Sequence, residues 1–257
     1  MKIFLFLCLT LACFSAFAGN ETNSPASSPA DSSRKFTYVI VHGAWGGGWD
    51  WKHVDHLLTA DGNTVYRPTL TGLGEHSNLD STNIDLDTHI QDIVNVILWE
   101  DLHDVVLVGH SHGGMIITGV ADRIPGRIKH VIYVDAKLPE NGEHADSIMA
   151  KGTIRVIKEG YLVPFWVTNN TPVPHDVLMP AKTFSQPITL TNQVVARKIP
   201  TTYILTVDPG KTPEQDEFYP YYQRAKARGW TTFIMEGDHN VQRSHPQELF
   251  KLFEQAP

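Results

Sequence analysis

Between the apolar run Val105-Val106-Leu107-Val108 and the small-residue stretch from Gly113 to Ile124 lies the pentapeptide Gly109-His110-Ser111-His112-Gly113. The apolar run suits a parallel strand buried on both faces, and the stretch after it suits a helix packed closely on a sheet. A strand that passes into a helix through Gly-x-Ser-x-Gly has to turn sharply, which strains the serine backbone and lifts its hydroxyl above the sheet edge. Glycines flank the serine because side chains there clash with the neighbouring strand or helix. The pentapeptide therefore offers Ser111 as a nucleophile. The competing reading is a tight turn of purely structural use.

The surrounding sequence repeats the alternation of strand and helix. Phe36 to Val41 reads as a strand ending at His42-Gly43, and Gly46-Gly47-Gly48 leads into a helical pattern from Trp49 to Ala60. Thr64 to Tyr66 is a short strand, and Leu86 to Trp99 spaces Ile90, Ile93, Val94 and Ile97 as one face of a helix. Further strands are expected at Ile128 to Val134, Ile199 to Val207 and Thr231 to Met235, with helices at Tyr219 to Arg228 and Pro246 to Glu254. Such an order implies an α/β fold with a mostly parallel central sheet covered by helices on both faces. Residues 139–193 break the rhythm with prolines and the aromatics Tyr161, Phe165, Trp166 and Phe184, and read as a cap inserted above the sheet. The competing reading is a helix pair of the main layer.

A serine hydroxyl needs a base to take its proton, and the base needs a third group to orient it. His239 follows the last expected strand in Glu236-Gly237-Asp238-His239, on a loop at the sheet edge, and is the candidate base. His245, beside Pro246, reads as a cap or surface residue. For the acid, Asp208 directly follows the strand Tyr203 to Val207, where catalytic groups of parallel sheets collect. Asp135 stands at the same edge after an earlier strand, and Glu214 or Asp216 could reach back from the following loop. Each carboxylate also has a bland reading as a helix N-cap or turn residue. The two N–H groups for a developing oxyanion are expected from Ala44 and His112, and His42 reads as a shaper of the first loop rather than a second base.

Met1-Lys2, the apolar run from Ile3 to Phe17 and Ala16-Phe17-Ala18 form the pattern of a cleavable secretory signal peptide over residues 1–18. Its apolar run is shorter than the roughly 20 residues of a membrane span. Residues 19–35 read as a polar, disordered spacer, and the folded domain as 36–257. Both cysteines, Cys8 and Cys13, lie in the leader, so a mature chain from Gly19 has neither disulfide nor thiol nucleophile. Acylation of Cys13 as a lipoprotein is the weaker reading of the leader. The net charge of −7, one unit more negative once Lys2 is removed, argues against nucleic acid or an anionic membrane surface as partner.

The stretches Val39 to Trp49 (VIVHGAWGGGW), Val106 to Met115 (VLVGHSHGGM) and Glu236 to Leu249 (EGDHNVQRSHPQEL) resemble the α/β-hydrolase superfamily. Within it they are similar to the branch of plant hydroxynitrile lyases, plant methyl-ester esterases and bacterial salicylyl-ester-type esterases. The resemblance runs from about Phe36 to the C-terminus. It implies nucleophile Ser111, base His239, acid Asp208 and oxyanion donors Ala44 and His112, with no metal or organic cofactor. The lyases of the branch carry a lysine after the catalytic histidine; Asn240 stands there instead, which favours hydrolysis.

The expected function is a serine hydrolase cleaving small carboxylic esters through an acyl-enzyme, exported, with a small-molecule ester as its partner and no stable membrane insertion. Serine at 111 disfavours epoxide hydrolases and haloalkane dehalogenases, which need a carboxylate nucleophile. Amidase, thioesterase or lyase use of the same triad, and a ligand-binding receptor that hydrolyses slowly, are the alternatives. Oligomeric state is not legible.

Overall fold

The computed structural model describes residues 35–148 and 155–256; the expected leader and the spacer up to residue 34 lie outside the described residues. In chain order the elements are strand β1 (Thr37–Val41), helix α1 (Lys52–Ala60), β2 (Thr64–Tyr66), α2 (Leu86–Trp99), β3 (Val105–Ser111), α3 (Gly113–Arg123) and β4 (Ile128–Ala136). Three two-residue strands follow, β5 (Ile157–Lys158), β6 (Tyr161–Leu162) and β7 (Met179–Pro180), then the short helices α4 (Lys182–Ser185) and α5 (Gln193–Ala196). The chain closes with β8 (Thr201–Val207), α6 (Tyr219–Ala227), β9 (Thr231–Glu236), α7 (Val241–Ser244) and α8 (Pro246–Phe253).

Six strands form one sheet in the order β2-β1-β3-β4-β8-β9, with every neighbouring pair parallel. Alternation along each strand explains why its sequence reads as unbroken apolar. Val39 and Val41, Val105 and Leu107, Val131 and Tyr133 point to the face covered by α2, α3 and α6. Tyr38 and Ile40, Val106 and Val108, Ile132 and Val134 point to the other, where Val54 and Leu58 of α1 and Leu249 and Phe253 of α8 meet them. Each such fully buried side chain stabilises the fold by about 1.5–3 kcal/mol relative to exposure.

The 139–193 stretch shows no helix pair of the main layer among its described residues. Its described residues carry a small antiparallel sheet, β5-β6-β7, and two single-turn helices. The oxyanion-side loop is stitched to it: the Trp45 indole donates to the Leu162 carbonyl at 3.2 Å and Val177 N–H donates to the Trp45 carbonyl at 3.0 Å. The helical pattern from Trp49 divides into a single 3-10 turn, Gly48–Trp51, and α1 proper. The turn α7 was not anticipated, since four residues are too few to show a helical period.

Candidate active site

Ser111 ends β3 with φ at +54°, a left-handed conformation that costs a non-glycine residue about 1–2 kcal/mol. The flanking glycines are required by space. A Cβ on Gly109 would lie 2.9 Å from the Gly113 carbonyl oxygen, and one on Gly113 would lie 2.7 and 2.8 Å from the carbonyl oxygens of Val41 and His42. The neighbouring strand and the first helical turn thus leave the elbow no room for side chains, and the strain is held by their packing.

β4 continues past its expected end at Val134 and bulges beside the elbow. His110 pairs with Val134 and Ser111 with Ala136, so Asp135 is the extra residue, with φ at +43°. A bulge re-aims one side chain out of the alternation of the strand. The Asp135 carboxylate, 1% exposed, accepts the Thr206 N–H on Oδ1 at 3.1 Å and meets His239 Nδ1 with Oδ2 at 2.6 Å. Tyr203 staples the next residue, its hydroxyl donating to the Ala136 carbonyl at 2.7 Å and accepting the Ala136 N–H at 3.2 Å.

Asp208, the expected orienting acid, is not hydrogen-bonded to His239 in this structure; Asp135 is. Asp208 turns outward after β8 and accepts from Lys211 Nζ at 2.7 Å, with both side chains half-exposed. Glu214 is exposed in a 3-10 turn beyond it. Asp216 accepts the Phe218 N–H at 2.8 Å, and burial, followed by the nearby charge of Asp135, pushes its pKa up to about 6. Of the four carboxylates weighed, Asp135 is the one hydrogen-bonded to His239.

Burial of the His239 ring opposes its protonation, but the Asp135 hydrogen bond and charge, aided by Glu217 and Asp216, outweigh it and raise the pKa above its ordinary value. The ring stacks on Phe218 at 4.8 Å. Its backbone is pinned as well, because His110 Nε2 donates to the His239 carbonyl at 2.7 Å. That bond places the His110 proton on Nε2, and burial keeps the ring neutral.

His42 is fully buried and committed to the backbone on both sides. Its Nδ1 donates to the Gly43 carbonyl at 2.8 Å, and its Nε2 accepts the Leu70 N–H at 3.1 Å. Burial lowers its pKa to about 4, so it is a neutral brace for the loop before Ala44. No partner among the described residues takes the N–H of Ala44 or of His112. The His112 ring is buried against Phe184 of α4, stacked at 4.3 Å, and neither of its nitrogens has a hydrogen-bond partner. His245 stands at the N-cap position of α8 without a side-chain capping bond, and its ring contacts Ser244 Oγ at 2.8 Å.

The structure thus brings Ser111, Asp135 and His239 to the same edge of the sheet, with Ala44 and His112 beside them, and leaves Asp208 apart. Sequence reasoning missed three contributors. His110 could have been suspected as a polar residue in an otherwise apolar buried strand. Tyr203 carried no signal beyond its type, and Phe218 none at all. Among the described residues no three His, Cys, Asp or Glu side chains group as metal ligands.

Comparison with known proteins places this site in a family. A relative from Nocardioides sp. (strain SG-4G), a carbendazim hydrolyzing esterase, is 50% identical over 113 residues, which covers 44% of this chain and 46% of the relative. The chain therefore spans less than half the length of that relative. Methylesterase 17 of Arabidopsis thaliana is 25% identical with 85% of this chain and 90% of the relative covered. Among solved structures, an extracellular alpha/beta-hydrolase from a Paenibacillus species superposes with a TM-score of 0.70 at 23% identity, over 86% of this chain and 98% of that one. The model of the alpha/beta hydrolase family matches residues 38–252, so this chain belongs to that family.

Proposed function

We propose that this protein hydrolyses small carboxylic esters through an acyl-enzyme, with Ser111 as nucleophile, His239 as base and Asp135 as the carboxylate that orients it. One observation carries the reading: a serine held at φ +54° on a strand-to-helix turn, at the same sheet edge as a histidine bound to a buried aspartate at 2.6 Å. The Asp135 contact fixes the proton on His239 Nδ1 and leaves Nε2 as the acceptor. Ser111 Oγ attacks the ester carbonyl as its proton passes to Nε2, and the oxyanion is received by the Ala44 and His112 N–H groups. The intermediate collapses, His239 returns the proton to the departing alkoxide, and water repeats the steps to release the acid. Esterase names among the relatives support this reaction class. Apolar walls come from Trp45, which packs on Trp166 at 5.1 Å and Phe184 at 6.0 Å, and suit a small acyl or aryl group.

The test is hydrolysis of p-nitrophenyl acetate and butyrate by wild type, Ser111→Ala and His239→Ala. Repeated turnover that falls by about 10³-fold or more in both variants supports the reading. A single slow turnover in wild type would favour a receptor, and undiminished activity of Ser111→Ala would refute the mechanism. Export is part of the proposal: expression in a bacterial host with the leader intact should yield secreted protein whose N-terminal sequence begins at Gly19.

A further inference from the structure

Two residues beyond Asp135, on the same strand end, the sequence places Lys137. Its backbone N–H donates to the Ser111 carbonyl at 2.9 Å, which ties it to the elbow. Its side chain is unusual for a lysine, being only 7% exposed. Lysine is almost never buried to this degree unless its charge is paired. Yet the Lys137 ammonium makes no hydrogen bond or ion pair among the described residues, and it lies over the Phe218 ring, 5.5 Å from Nζ to the centroid. The other face of this contact matters, because Phe218 is the ring that stacks on His239.

The charge also acts on the opposite flank of Ser111. Lys137 is among the groups that keep the His112 ring neutral, after burial and His89. The ammonium thus lies over the ring packed on the base, and its field reaches the residue after the nucleophile. His112 adds two buried ring nitrogens without partners to the same surroundings. Lys137 and His112 are thus a buried cation and a buried polar ring with hydrogen-bonding capacity unspent. Neither has a part in the acyl-transfer steps, apart from the His112 backbone.

We propose that Lys137 is a specificity residue, its ammonium binding a carboxylate carried by the acyl or alcohol part of the ester. The inference rests on the reading of this site as an ester hydrolase and names the substrate class it prefers. A carboxylate would supply the charge-assisted partner the ammonium lacks, at the cost of little reorganisation. Burial pushes the Lys137 pKa down to about 8, with Glu217 opposing and Arg155 adding to the fall. Lys137 therefore remains mostly cationic near pH 7 and loses its charge as pH rises past this value. The charged groups acting on it are Glu217 from the loop before α6 and Arg155 from the 139–193 segment, and it acts in turn on the His112 ring of the elbow. Arg155 is itself engaged by Asp146.

The experiment compares two ester pairs on the full chain: mono-4-nitrophenyl glutarate against 4-nitrophenyl pentanoate, and 4-acetoxybenzoate against phenyl acetate. In wild type at least one charged ester should show a kcat/KM about tenfold or more above its neutral partner, with the difference in KM. In Lys137→Met the ratio should collapse to about one or below, and Lys137→Arg should restore part of it. The wild-type preference should fade above about pH 8. A ratio unchanged in Lys137→Met, or no preference in wild type for either pair, would overturn the proposal. If Lys137→Met does not fold, Lys137→Gln serves in its place. Binding of monomethyl glutarate to Ser111→Ala by calorimetry separates this idea from the esterase reading, because it needs no turnover. Binding that is lost in the Ser111→Ala, Lys137→Met double variant supports the site even if esters are not hydrolysed. No binding to Ser111→Ala overturns it even if they are.

Discussion

Replacing Asp135 by Asn removes a charge with almost no change of shape, and the structure dictates how the amide must sit. Oδ1 accepts the Thr206 N–H at 3.1 Å, so the amide oxygen has to stay there to avoid stranding a buried donor. The NH₂ group then faces His239 Nδ1, where a donor forces the imidazole to accept. The imidazole proton moves to Nε2 and points at Ser111, the wrong tautomer for a base. Disabling the base in this way costs about 10³–10⁴ in kcat, or roughly 4–5.5 kcal/mol at about 1.36 kcal/mol per decade. The companion variant Asp208→Asn removes only an exposed pair with Lys211, worth about 0–1 kcal/mol, and should leave kcat within about twofold. Steady-state hydrolysis of p-nitrophenyl butyrate by both proteins, with Tm measured alongside, decides the matter. A second readout is the pH profile. Wild-type kcat/KM should rise with pH as His239 loses its proton, with a midpoint above the ordinary histidine value, since Asp135 holds that proton. In Asp135→Asn the residual activity should show the midpoint displaced downward. Loss of activity in Asp208→Asn with Asp135→Asn within tenfold of wild type would refute the reasoning.

Three other perturbations test the scaffold around the site. His42→Phe leaves the buried Leu70 N–H and Gly43 carbonyl without their partner, and should cost about 1–3 kcal/mol each at most, seen as a Tm fall of several degrees together with a lower kcat. Gly113→Ala drives a Cβ to within 2.7 Å of the Val41 carbonyl oxygen, so the elbow must shift, and overpacking of about 1–3 kcal/mol should appear in urea unfolding. Tyr203→Phe unpins both backbone groups of Ala136 and should lower kcat by loosening the bulge that aims Asp135, while KM changes little; an unchanged kcat would show that the bulge holds itself.

The architecture was legible because its physical signals are local. Val105 to Val108 is apolar throughout because Val105 and Leu107 pack on one layer of helices while Val106 and Val108 pack on the other. The elbow was legible for a similar reason: Gly-x-Ser-x-Gly encodes a backbone shape that needs φ +54° at Ser111, and no distant partner has to be known. The short strands of the 139–193 segment were not legible, since two-residue strands such as β5 and β6 carry no period and are set by their pairing.

Which carboxylate meets His239 lay beyond any local signal. Asp135 and Asp208 both follow apolar strands, and position along the chain favours neither. What separates them is register: β4 gains one residue against β3, which turns Asp135 toward His239, 104 residues away in sequence. Asp208 has a nearer partner in Lys211, three residues on. The sequence by itself determined the sheet, the strained serine and the loop that carries His239, each a matter of neighbouring residues. Only the tertiary structure decided which carboxylate, which histidine face and which buried lysine surround them, because a hydrogen bond across three strands depends on how those strands are aligned.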